Sequence, residues 1–122
     1  MIRNVLLVGL GGSIGSMVRY AVSLLMNSKS FPYATLSVNI IGSFIIGVVF
    51  ALGIKEGGLS GNWRLFLATG ICGGFTTFSA FSLENMGLLQ SGRIGVALTY
   101  IMISLVLGIA ATFLGYQLII KN

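Results

Sequence analysis

The sequence contains no histidine and no aspartate, a single cysteine, a single proline, and only two acids, Glu56 and Glu84. Without histidine or aspartate, most nucleophilic triads, metal sites and carboxylate dyads cannot be assembled, so the residue inventory argues against an enzyme. Cys72 has no second cysteine with which to close an intramolecular disulfide, and it is expected to behave as a small buried hydrophobe. Charge is scarce: Lys, Arg, Asp and Glu make up 7% of 122 residues, against roughly 25% in soluble domains. The net charge of +5 is spread over short polar stretches and the ends, with no basic cluster of the kind that binds nucleic acid. No phosphate-binding loop is present, so nothing points to ATP use.

What fills the chain instead is hydrocarbon: 56% of residues are hydrophobic and the mean hydropathy is +1.02. Charge-free runs extend from Tyr33 to Ile54, Leu65 to Leu83 and Ile94 to Ile120, and a fourth run, Asn4 to Met26, is interrupted only by Arg19. Each approaches or exceeds the roughly 20 residues a helix needs to cross ~30 Å of hydrocarbon. The expected fold is an all-α membrane protein, one domain over residues 1–122, with spans near 4–26, 33–54, 64–89 and 94–119. Arg3 before an apolar run suggests a signal peptide, but the run continues to Met26 without a persuasive cleavage site. The connecting stretches "NSKSFP", "KEGGLSGNW" and "QSGR" suit turns between helices. With four spans, Arg3, Lys55, Arg64 and Lys121 share one side, while Lys29 and Arg93, with Arg19 if it snorkels, share the other. So small a bias leaves open both cytoplasmic termini and insertion in both orientations.

Eighteen glycines, among them Gly9, Gly11, Gly12, Gly15, Gly42 and Gly47, predict close helix packing. Four short helices enclose little interior, so buried polar groups point to an oligomer. Those groups fall into four sets. Arg19 either snorkels to a headgroup, which its position favours, or lines an anion-attracting vestibule. Thr35, Asn39 and Ser43 repeat every four residues and share a helix face. The Asn39 amide either bonds a neighbouring helix, which spacing favours, or donates to a passing anion. In "GICGGFTTFSAFSLEN", Gly70, Gly73 and Gly74 weaken the helix ahead of Thr76, Thr77 and Ser79. A break there would free carbonyls suited to a small cation such as Na⁺. Phe78 and Phe81 lie three apart, and aromatic edges beside hydroxyls can solvate an anion without a fixed positive charge. Finally, Glu84 is an intramembrane carboxylate, with Tyr100 and Ser104 as a hydroxyl ladder on the last span.

The motifs "GGSIGSMVRY", "TLSVNIIGSFIIG" and "GICGGFTTFSAFSLE", in this order, resemble the Fluc (CrcB) family of bacterial fluoride channels. The resemblance covers the first three spans and the four-span length. It implies a passive fluoride exporter of the bacterial inner membrane, an antiparallel, dual-topology homodimer with two pores and a third helix broken mid-membrane. It also implies a structural Na⁺ at the dimer interface, on the backbone carbonyls of Gly73 and Thr76. Asn39, Phe78 and Phe81 would then contact fluoride, Arg19 would lie in the vestibule, and Thr35, Ser79, Glu84, Tyr100 and Ser104 would form a polar track. Ala80 stands where many members carry threonine, and Gly108 where a hydroxyl is frequent, which implies a shorter track. A small multidrug-type transporter is the first rival, but such proteins rely on an acid in the first span, and this chain has none there. A non-transporting assembly subunit is the second; it would have no use for clustered hydroxyls and paired rings.

Overall fold

The computed structural model describes residues 1–28 and 30–121, so the loop cation Lys29 counted above lies outside the described residues. Everything regular in the described residues is helical. Helix α1 runs Ile2–Leu25 and α2 runs Tyr33–Ile54. The third span begins with α3, Gly61–Arg64, widens into a π-helical stretch, Leu65–Cys72, and closes with α4, Gly73–Phe75. It resumes as α5, Phe78–Gln90, and α6, Ile94–Ile120, completes the bundle. The four apolar segments of 24, 22, 30 and 27 residues are each long enough to cross a membrane. The turns between them are made where the sequence is polar, and Gly57 and Gly92 supply the positive φ angles (74° and 80°) those turns need.

Between α4 and α5 the chain is extended, with Thr76 at ψ 158° and Thr77 at φ −152°, ψ 121°. The extended residues fall just after the glycines that weaken the helix, not on them. Gly73 is helical at φ −62°, ψ −37°, and the two extended residues are β-branched threonines, whose side chains favour that conformation. Thr77 then restarts the helix as its N-cap, its Oγ1 accepting from Ala80 N at 3.1 Å.

The glycines do something else. A methyl on Gly11 would lie 2.5 Å from Phe66 O and 2.9 Å from Gly70 Cα, and one on Gly74 would lie 2.5 Å from Gly12 O. The backbone of α1 therefore sits directly on the third span, without side chains between. Helices α2 and α6 meet in the same way, with Gly47 against the Thr112 carbonyl and Gly115 against the backbone of Phe44 and Val48. Gly9 takes no part, since nothing lies within 4 Å of its would-be Cβ. Large side chains such as Leu6, Leu10, Ile109 and Phe113 point outward, while much of the buried core is small: Val38, Val49, Ala51 and Ala97. Lipid tails solvate the outward residues as well as a protein core would, so close backbone packing, not burial of large side chains, holds such a bundle together.

This arrangement makes Gly11 intolerant and Gly9 permissive. Gly11→Val is expected to lower the thermal midpoint of the detergent-purified protein, at an overpacking cost of about 1–3 kcal/mol. Gly9→Ala should match or slightly exceed wild type, because alanine is the better helix former.

Candidate functional site

One open groove of about 360 Å³ runs beside the extended pair. Its walls carry Asn39 and Ser43 from α2, Gly73 and Thr76 before α5, Phe78 and Phe81 from α5, and Ser104 from α6. Helices α2, α4, α5 and α6 thus bring together residues that the sequence separates by up to 65 positions.

The groove is organised by Asn39. Its Oδ1 accepts from Thr77 N at 2.8 Å, and its Nδ2 donates to Thr77 O at 3.2 Å. The amide side chain pairs with one extended residue much as a neighbouring strand would, satisfying both of its backbone groups. Asn39 is therefore a brace between helices, the role its spacing favoured. It still has a second Nδ2 hydrogen, because the pairing uses only one.

The same pairing redirects the helical ladder. Thr77 N would close onto Gly73 O in a continuous helix, but it goes to Asn39. Ala80 N would close onto Thr76 O, but it goes to the Thr77 hydroxyl. The carbonyls of Gly73 and Thr76 are thus deprived of their usual amides beside an open groove. Gly74 O, similarly placed, receives Arg19 Nε at 3.1 Å. Arg19 thereby ties α1 to the third span instead of reaching away from the protein. Ser79 lies beside the cap, its hydroxyl 3.3 Å from that of Thr77.

A second polar set centres on Glu84. Glu84 Oε2 accepts from Thr35 Oγ1 at 2.6 Å, and its Oε1 accepts from Tyr100 OH at 2.8 Å. Both carboxylate oxygens are engaged and their donors come from two other helices, so the acid is fixed in position. Tyr100 is wholly buried; its ring meets Phe81 at 5.0 Å and Phe31 edge-on at 5.5 Å. Phe78 and Phe81 are 5.8 Å apart with planes inclined at 40°. The Phe81 ring lines the groove and also packs against Tyr100, a donor to Glu84. A second cavity, about 420 Å³, is lined by Thr35 and Glu84 together with Ser23, Asn27, Ser30 and Arg93. Ser104 does not join Glu84; the residue lines the groove, but its hydroxyl is buried and without a partner.

Most of the residues singled out from sequence are gathered around these two cavities. Thr77 was named from sequence only as a hydroxyl following the glycines and given no role of its own, although its backbone is the partner that Asn39 serves. The signal for it was a capping threonine three residues before Ala80, a local pattern whose importance depends on the distant Asn39.

Residues 6–116 match the family described as CrcB-like protein, Camphor Resistance (CrcB). A curated relative from Thermus thermophilus, named fluoride-specific ion channel FluC, is 52% identical over 116 residues, covering 93% of this chain and 92% of its own. Relatives of the same name from Azobacteroides pseudotrichonymphae and Methylobacillus flagellatus are 46% and 47% identical. The first alignment covers 97% of both chains, and the second 95% of this chain and 94% of the relative. With matches of this extent laid over the geometry just described, this chain belongs to the CrcB family.

Proposed function

We propose that this chain is a fluoride channel, passing the ion down its electrochemical gradient and so out of a cell whose interior is negative. The observation that carries this reading is a set of hydrogen-bonded polar groups and paired rings within an otherwise apolar bundle, Asn39 beside Phe78 and Phe81, and Thr35, Glu84 and Tyr100, in a chain whose relatives are named for fluoride. Fluoride is small, strongly hydrated and a good hydrogen-bond acceptor, so a pore must offer donors in place of water. Asn39 retains an amide hydrogen, and the phenyl edges are weakly positive. A fixed cation would hold the ion too firmly for rapid passage. Chloride, being larger, is excluded where the two rings narrow the way.

The functional unit is a pair of antiparallel copies in a bacterial inner membrane, with one pore on each side. Phe78 is 78% exposed on the single chain, and the groove beside it is open, both of which a second copy would cover. The near-even loop charge suits insertion in both directions. Sodium joins the copies through the Gly73 and Thr76 carbonyls of each. Neutral oxygen donors lacking their amides are the ligands a hard monovalent cation prefers, and bound there the ion would neutralise converging carbonyl dipoles. Glu84, with both oxygens engaged, acts by holding the Thr35 and Tyr100 hydroxyls in place and not as a proton carrier.

Two measurements test this. Liposomes holding the purified protein should lose fluoride rapidly, read by electrode, without matching chloride loss. Asn39→Asp, which sets a carboxylate oxygen against Thr77 O, should slow that loss at least roughly tenfold, as expected when a hydrogen bond to an ion is removed. Folded wild-type protein that releases no fluoride would overturn the reading. Tyr100→Phe removes one of the two donors to Glu84 while keeping the ring. It should cost about 1 kcal/mol in denaturant unfolding and should also slow fluoride efflux.

A further inference from the structure

Ser43 lies one turn beyond Asn39 on α2, about 6 Å further along the helix axis. Hydroxyls in these helices commonly turn back to the carbonyl four residues earlier, as Ser13 does to Gly9, Thr76 to Cys72 and Thr99 to Gly95. Such a bond spends the hydroxyl within its own helix. Ser43 Oγ makes no bond of this kind, although the residue lines the groove together with Asn39 and Ser104. Its backbone is nonetheless held firmly, because Ser43 O accepts from Thr112 Oγ1 of α6 at 2.9 Å. Facing it on α6 is Gly108. A Cβ built there would meet only one atom within 4 Å, Ser43 Oγ at 3.8 Å. The missing side chain leaves space in front of the Ser43 hydroxyl, and Ser104, whose buried hydroxyl is uncommitted, lines the same groove.

We propose that the Ser43 hydroxyl is a fluoride contact, donating to the ion in the step next to Asn39, with Gly108 keeping the space before it clear. This rests on the fluoride-channel reading. The two readings separate in one efflux experiment on proteoliposomes, using wild type, Ser43→Ala, Ser43→Thr and the double variant Ser43→Ala with Gly108→Ser. Each variant is first matched to wild type by its size-exclusion profile. Ser43→Ala should slow fluoride efflux about fivefold, the loss of one hydrogen bond. Ser43→Thr should restore it, because the hydroxyl returns. The double variant should restore it too, because the new serine hydroxyl enters the same space from the opposite helix. A Ser43→Ala protein that conducts like wild type overturns the assignment while leaving the channel intact. A slow Ser43→Ala protein rescued by neither hydroxyl also overturns it, since the residue would then act through packing. No fluoride efflux from wild type removes both readings together.

Discussion

Two extended residues inside a hydrocarbon-facing bundle carry backbone groups that lipid cannot satisfy, and each unsatisfied group costs several kcal/mol. Much of the site follows from how this chain meets that constraint. Asn39 takes both groups of Thr77, the Thr77 hydroxyl takes Ala80 N, and Arg19 takes Gly74 O. The donors and acceptors arrive from α1, α2 and the cap of α5 itself. The carbonyls of Gly73 and Thr76 lose their amides through the same arrangement, which is what makes them available as ligands.

The glycines place this arrangement in the bundle. Backbone contact of α1 with the third span brings Arg19 within reach of Gly74. Contact of α2 with α6 through Gly47 and Gly115 sets the separation at which Thr35 and Tyr100 can both reach Glu84. Larger residues would separate the helices by a side-chain layer and draw these short bonds apart. Packing and site are therefore one design: the residues that let helices touch also bring polar groups from different spans within 2.6–3.2 Å of one another.

The distribution of charge has the same economy. In a chain with two acids, Glu84 sits inside the bundle with both oxygens engaged, and among the described residues no fixed cation lines the groove. What the groove offers an anion is partial charge, from an amide, hydroxyls and ring edges. Such a surface supports binding weak enough for release, and the fluoride reading depends on that balance.

Several features were legible in the sequence because they are local. Length and hydropathy determine that four segments suit a bilayer, since crossing it is a matter of residue count. Polar residues in those segments mark functional candidates, because lipid makes them costly wherever they lie. Glycine-rich motifs announce close packing, and for Gly11, Gly12 and Gly74 that is how they are used. Which residues would leave the helix was not legible. The glycines marked the region of weak helix, yet the residues that leave it are Thr76 and Thr77, and Asn39, 38 positions before Thr77, supplies the pairing partner there. Spacing alone likewise could not decide whether Arg19 snorkels or which hydroxyls meet Glu84. Those outcomes depend on distances between helices, set by backbone contacts distributed along the whole chain. Sequence alone determined the solvent this protein is built for and the residues it keeps polar there; the tertiary structure decided which of them meet, because a hydrogen bond forms only where packing brings its two ends together.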